Sequence, residues 1–340
     1  MFRNLKKTMI IAEIGVNHNG NFSLALKLIL KAKEAGADFV KFQSFQTDFL
    51  AKKNTPKVDY QLKNMISKDT HFAMLKKLEL DFETQFKLFN FCKKIKIGFL
   101  STPYDIFSAQ FLKKIGIKFL KISSADLTDK ILHLSLSRLD LPVLISTGMS
   151  KVSEIQKTLN IYKQNHFKKE IALLHCVSNY PCSDESQNLR VIPSLSKKFA
   201  CVVGYSDHSQ SILSSVCAVS LGAKIIEKHF TLDKNLLGPD HKSSLNPEEF
   251  KIFVKDIRNT EIILGNRLKK CQKEEMSMKN ISRKSLYYSR DIKKNNRLKI
   301  NDFISMRPGF GESPMNIGFF LKKKIRINVS KFSLVKKNHL

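Results

Sequence analysis

The chain of 340 residues is 42% hydrophobic and 26% charged, with 13 Gly and 9 Pro, which supplies a large core and excludes a collagen-like or linker-dominated chain. Its 59 Lys and Arg against 30 Asp and Glu leave a formal charge of +29, scattered as pairs and triplets such as Lys93-Lys94, Lys113-Lys114 and Lys322-Lys323-Lys324. Without a basic arm, zinc finger or RNA-binding signature, that scatter argues against a nucleic-acid partner and for an anionic small substrate. The apolar runs are short and interrupted by charge, which excludes a membrane-spanning helix.

The N-terminus MFRNLKKTMIIAEIG is basic, but Glu13 breaks its apolar stretch and no small-residue cleavage site follows. No signal peptide is expected, and the expected location is the cytoplasm. The six cysteines (Cys92, Cys176, Cys182, Cys201, Cys217 and Cys271) contain no CxxC pair and read as reduced core residues.

In chain order, short β-branched or apolar runs alternate with segments of helical period. The strand-like runs are 9–14, 38–43, 97–101, 118–123, 142–147, 171–176, 201–206 and 224–229. Helical stretches between them include 23–36, 107–116, 152–164, 210–222 and 247–265, several ending at a glycine suited to the C′ position (Gly36, Gly116, Gly222, Gly265). About eight strand–helix units in about 260 residues is the arithmetic of a closed (β/α)8 TIM barrel. An open doubly wound sheet would need a glycine-rich phosphate turn after the first strand, and Gly15-Val-Asn-His-Asn-Gly20 is not GxGxxG. The predicted organisation is a barrel over 1–265, a polar linker over 266–280 and a small β-rich unit over 281–340, with strand-like pieces SLYYSRDI, FISMRPGFG and KKIRINVS.

The C-terminal end of nearly every predicted strand carries residues that a core rejects. They are Glu13; Lys41 and Gln43; Ser101-Thr102; Lys121 with Ser124 and Asp126; Ser146-Thr147; His175-Cys176; Ser206-Asp207-His208; and Glu227-Lys228-His229. In a barrel these ends meet on the face that carries active sites, and unpaired charge is too costly to gather there without a task. Lys41, Lys121, Thr102, Ser124, Ser146 and Ser206 are cations and hydroxyl donors suited to a phosphate or phosphate-plus-carboxylate ligand. His208 and His229 end adjacent strands, and beside Glu13 they suit an open divalent-metal site completed by water and substrate. Glu227, two residues before His229, points to the same face by strand alternation.

The segments AEIGVNHNG (12–20), GADFVKFQSF (36–45), LSTPYD (100–105), LKISSADL (120–127), ISTGMS (145–150), LHCVSNYP (174–181), VGYSDHS (203–209), GAKIIEKHFTLDKNLLGPDHKSSL (222–245) and RPGFG (307–311) occur in the order and spacing of one family. The chain resembles the sialic-acid synthase family of phosphoenolpyruvate-dependent sugar-acid synthases over nearly its whole length. Its closing part resembles that family's antifreeze-like (SAF) domain.

The resemblance implies condensation of phosphoenolpyruvate with an open-chain N-acyl hexosamine and water, giving a nine-carbon 2-keto sugar acid and phosphate. It implies that Lys41, Thr102, Lys121, Ser124, Ser146 and Ser206 hold phosphoenolpyruvate. His208 and His229 would hold Mn2+, with Mg2+ or Co2+ as alternatives. Glu13 would handle a proton or position metal-bound water, Glu227 would orient either ligand, and Gln43, Tyr180 and Asp240 would contact the sugar. Arg307 would reach the barrel mouth of a partner subunit in a domain-swapped homodimer and bind the acyl group there. The family commonly has Gly-Glu after the fourth-strand serine, where this chain has Ala125-Asp126, a methylene shorter.

N-acetylmannosamine, giving N-acetylneuraminate, is the first expectation for the sugar. The alternative is a 2,4-diacetamido-trideoxyhexose, giving legionaminate or pseudaminate, and VDYQLKN (58–64) leans away from the pseudaminate branch. A basic nucleic-acid-binding protein and a catalytically silent relative are the competing readings from other classes.

Overall fold

The computed structural model describes residues 1–57, 61 and 69–340; of the VDYQLKN segment only Gln61 is among them. The chain divides into two compact units, Met1–Gly265 and Asn266–Leu340.

The first unit holds eight parallel strands: β1 (Met9–Gly15), β2 (Phe39–Ser44), β3 (Gly98–Pro103), β4 (Leu120–Ile122), β5 (Val143–Ser146), β6 (Ile171–His175), β7 (Val202–Asp207) and β8 (Ile225–His229). Their order is β3-β2-β1-β8-β7-β6-β5-β4, and β3 lies beside β4, which closes the sheet into a (β/α)8 TIM barrel. Each predicted strand lies within one or two residues of an observed one.

The period of two along each strand decides what the barrel interior contains. Met9, Ile11, Phe39, Leu100, Phe119, Leu144, Ala172, Leu174 and Ile225 point inward and, with Phe2, form a buried apolar plug. One step further along the same strands the inward positions become Glu13, Lys41, Lys121, Ser146, Ser206 and Glu227. The larger apolar cluster lies on the outward faces, between sheet and helices.

Helices run between the strands, and acidic or amide side chains cap several of them. Asn21, Asp81, Asp105, Asp129 and Asn246 each accept from a backbone N–H three residues on. The helices Met276–Ser282, His71–Leu78, Phe82–Ile95, Lys130–Leu136 and Val191–Phe199 were not foreseen. Gly36, Gly116 and Gly222 close their helices at positive φ, whereas Gly265 (φ 54°, ψ −130°) leaves the left-handed helical region.

All six cysteines are free; Cys92, Cys176 and Cys182 are buried as expected, but Cys217 and Cys271 are exposed. Among the described residues no helix is long and apolar enough to cross a membrane.

In the second unit, β9 (Ser285–Tyr288) pairs antiparallel with β10 (Phe303–Met306) over a small core that includes Leu286, Tyr288, Ile292, Phe320 and Val335. The segment KKIRINVS forms no strand, only isolated bridges such as Ile292 to Val329 and Arg297 to Lys324. Residues 266–280, read as a linker, belong to this unit. They contain a capping box in which Gln272 N donates to Glu275 Oε2 at 2.6 Å, and the helix Met276–Ser282 follows it. Polar composition marked the segment as extended because that helix has no buried residue to give it a face.

Candidate active site

Strand register sets the first relationships. Glu13 pairs with Lys41 on one side and His229 on the other, and Ser206 pairs with Glu227. These residues line a cavity of about 720 Å³ in the first unit, at the C-terminal ends of its strands. Lys121, Thr102, Ser124, Ser146, His208, Asp126, Gln43, Tyr180 and Asp240 line the same cavity. Arg307 lies in the second unit, where its Nε donates to the Ser282 carbonyl at 2.9 Å.

The floor is a buried quartet of two cations and two carboxylates. Lys41 Nζ lies 2.9 Å from Glu13 Oε2 and 3.7 Å from Glu227 Oε1, and it donates to Thr102 Oγ1 at 3.1 Å. Lys121 Nζ lies 3.8 Å from Glu227 Oε1 and donates to Ser146 Oγ at 2.7 Å. Burial pushes the Glu13 carboxyl up to about 7 against the pull of Lys41. Burial would raise Glu227 too, but Lys121 and Lys41 outweigh it and hold the group below its usual value. For Lys41 the burial penalty is more than offset by Glu13 and Glu227, so its ammonium sits above the ordinary value; for Lys121 burial wins and the group sits below it. Glu13 is therefore the member poised near neutrality, where a proton carrier is most effective.

Serine hydroxyls and a backbone amide extend the polar wall. Gly148 N donates to Ser124 Oγ at 3.0 Å, and Ser124 Oγ lies 3.1 Å from Cys176 Sγ. A Cβ at position 148 would stand 2.8 Å from Ser124 Oγ and 3.0 Å from Cys176 Sγ, so only glycine keeps this corner open. Asp126 accepts from Ser123 Oγ at 2.6 Å, and burial pushes its carboxyl up to about 6.

The two histidines stand with ring centroids 5.7 Å apart, and Tyr180 lies 4.2 Å from His208 and 5.5 Å from His229. His208 Nδ1 lies 2.7 Å from the Val177 carbonyl, which can only accept, so Nδ1 carries the proton and the Nε2 lone pair faces the cavity side, 3.3 Å from Ser206 Oγ. His229 Nδ1 is buried with no hydrogen-bond partner among the described residues, and neither is there one for Glu227 Oε2. Burial lowers both imidazoles, His208 to about 4 and His229 well below the usual value, which keeps them neutral as metal ligands must be. Among the described residues no three His, Cys, Asp or Glu side chains group as a metal cluster. The donor set therefore fits an open two-imidazole site rather than a closed structural one.

Asp240 is buried, its Oδ1 has no partner among the described residues, and burial pushes its carboxyl up to about 6 from 3.8. The folded state thus holds this proton more tightly than the unfolded chain. Its ionisation costs nothing below pH 3.8 and, at about 1.4 kcal/mol per unit, about 3 kcal/mol above pH 6. Asp240→Asn should flatten the loss of stability between pH 4 and 6 and raise the melting temperature of the ligand-free protein at pH 7, read by thermal unfolding in EDTA. A variant that melts no higher than the parent at pH 7 would refute this.

Several features escaped sequence reasoning. Alternation sends Asp207 and Lys228 to the outer face, away from the cavity, although both were grouped with the strand-end residues. Asn17-His18-Asn19-Gly20 is a tie between loops: Asn17 Nδ2 donates to the Phe230 carbonyl and to Ser244 Oγ, both at 2.9 Å. An apolar cavity side, contributed in part by the helix His71–Leu78, was also missed. Its signal was the pair Met74-Leu75 with Leu78 one turn on, ambiguous without a partner surface.

The family model described as NeuB matches residues 28–269. An N,N'-diacetyllegionaminic acid synthase of Campylobacter jejuni is 42% identical over 333 residues, covering 98% of this chain and 100% of the relative. A pseudaminic acid synthase of the same species is 36% identical, covering 95% and 94%. Among solved structures, the N-acetylneuraminic acid (sialic acid) synthetase of Leptospira borgpetersenii in complex with citrate aligns with a TM-score of 0.71 at 33% identity, over 80% of this chain and 90% of that one. With the barrel and the cavity described above, these matches identify the chain as a member of the NeuB family of synthases.

Proposed function

We propose that the protein condenses phosphoenolpyruvate with an open-chain 2,4-diacetamido-trideoxyhexose and water, giving a legionaminate-type 2-keto sugar acid and phosphate in the cytoplasm. The expectation from sequence put N-acetylmannosamine first. The relatives support the alternative better, at 42% for the diacetyllegionaminic acid synthase against 33% for the solved N-acetylneuraminic acid synthetase. The observation that carries the reaction type is the cavity floor: two buried lysines, each bonded to a hydroxyl, lining one cavity with two imidazoles that burial keeps neutral.

Lys41 and Lys121, with Thr102, Ser124, Ser146 and Ser206, bind the phosphate and carboxylate of phosphoenolpyruvate as charge-assisted donors. His208 and His229 hold a divalent ion, most simply Mn2+ with Mg2+ or Co2+ as substitutes, and when bound it supplies Lewis-acid polarisation of the aldehyde. C3 of phosphoenolpyruvate bonds to the aldehyde carbon, whose oxygen takes a proton. Water adds at C2 and gives up one proton; the C2–O bond to phosphate then breaks as the remaining C2 hydroxyl passes its proton to the departing phosphate, leaving the ketone. Glu13 holds or releases the proton, Asp126 and Glu227 orient water and ligand, and Gln43, Tyr180 and Asp240 contact the sugar. Arg307 binds the acyl group of the sugar in a partner subunit's cavity, in a homodimer formed by exchange of the antifreeze-like domain.

Phosphate release from phosphoenolpyruvate tests this. Release should require both sugar and Mn2+, stop with EDTA, and run about tenfold or more faster with the diacetamido sugar than with N-acetylmannosamine. A folded protein that binds Mn2+ and releases no phosphate with either sugar would overturn the reading in favour of a silent relative.

A further inference from the structure

The cavity has two unlike sides. Besides the charged floor, Val16, Leu50, Ala51, Met74, Leu75 and Leu78 line it. Val16, Met74, Leu75 and Leu78 pack with buried Phe45 into a small core separate from that of the barrel. The helix His71–Leu78 presents three of them at spacing i, i+1, i+4, so they share one face. Thr70 caps that helix, its side chain accepting from Ala73 N at 3.2 Å, and so fixes the rotation of the face.

None of these six side chains carries a hydrogen-bond donor, and the Met74 thioether is at most a weak acceptor. A sugar hydroxyl pressed against them loses water and gains no partner, whereas a methyl group gains burial. Lys52, Thr55, Gln61 and His71 line the cavity as well, with His71 Nδ1 3.1 Å from Gln61 Oε1. Methyl-sized apolar surface in one cavity with a few polar groups is the pattern that matches an acetamido substituent, which has an apolar end and a hydrogen-bonding end.

We infer that this wall selects the sugar: it seats the C6 methyl and an acetamido methyl of a 2,4-diacetamido-2,4,6-trideoxyhexose and disfavours a sugar with hydroxyls at those carbons. The inference rests on the condensing reaction proposed above and adds the residues that choose between its substrates. Met74 and Leu75 are specificity residues under this reading and carry no reacting group, so their substitution acts on KM more than on kcat.

The test compares wild type, Met74→Gln, Leu75→Gln and the conservative Met74→Leu in phosphate release with both sugars. Each Gln variant should lower kcat/KM for the trideoxy sugar by about tenfold, mainly through KM, and change that for N-acetylmannosamine by less than about threefold. Met74→Leu should keep the wild-type preference. Turnover of N-acetylmannosamine reports that the variants are folded. Gln variants that keep the wild-type ratio of the two sugars, including by losing both rates equally, overturn the wall and leave the condensing reaction standing. A wild type that turns over both sugars without preferring the trideoxy one overturns it too. Absence of turnover with either sugar in wild type instead overturns the proposed function, and the wall with it.

Discussion

Lys228→Met should lower the stability of the barrel by about 3–5 kcal/mol, the cost of leaving one partner of a buried ion pair alone. Lys228 Nζ lies 3.0 Å from Asp207 Oδ2, and both side chains are at 0% exposure. The lysine also donates to the Ser209 carbonyl at 2.6 Å and the Ser211 carbonyl at 3.1 Å, holding the loop after β7 against β8. Asp207 in turn accepts from Ser209, Ser214 and Ser215 hydroxyls at 2.7, 2.7 and 2.6 Å. Burial would raise that carboxyl, but Lys228 and the three serines outweigh it and keep it below its usual value. Methionine fills the same volume without the charge, so the loss is electrostatic and not a cavity. The melting transition should fall by about 10 °C at 2–4 °C per kcal/mol. Asp207→Asn/Lys228→Met should recover part of that loss, and a thermal-unfolding cycle on the four proteins measures the coupling. Additive single effects would show that the pair does not act as one unit.

Lys121→Met should cut kcat/KM for phosphoenolpyruvate on the order of 10²–10³-fold, the scale of removing one preorganised electrostatic donor. Its stability should change little. Burial holds the Lys121 ammonium below the usual value, as it does that of Lys228, so the two differ in the carboxylate that each would leave behind. Glu227 keeps Lys41 at 3.7 Å and the Ser206 hydroxyl at 3.0 Å, so no carboxylate is stranded. This is the reverse of the Lys228 case: two buried lysines in one barrel, one holding the fold and the other held in readiness for a ligand. Steady-state phosphate release together with melting curves separates the two. A Lys121→Met protein with near-parent kcat/KM would remove the lysine from the anion site.

The barrel was legible because its strands are short apolar runs whose parity shifts from core to polar at their C-terminal ends. Glu13, Lys41, Lys121 and Glu227 each break an apolar run, which is why they stood out and why they meet. Ser124 and Ser146 were legible only through the barrel that brings the loop after β4 beside the end of β5. Asp207 and Lys228 show the limit: the same strand-end signal marks residues on either face, and only the phase of alternation, anchored by neighbours such as Ser206 and Glu227, tells them apart. The helix His71–Leu78 was missed for a different reason. Eight residues carry too few turns for period to separate helix from loop, and its apolar face covers a cavity instead of joining the main core. In the second unit, KKIRINVS has strand composition but makes only isolated bridges, since composition fixes neither partner nor register.

Alternation at the ends of β7 and β8 also separates two kinds of mutational freedom. Ser206, His208, Glu227 and His229 face the ligand side, while Asp207 and Lys228, interleaved with them, brace the wall behind. Drift in substrate preference can therefore accumulate on one set of positions without loosening the other. A library that varies the cavity-facing residues and holds residues 207 and 228 constant should retain far more folded members than one that varies each stretch end to end.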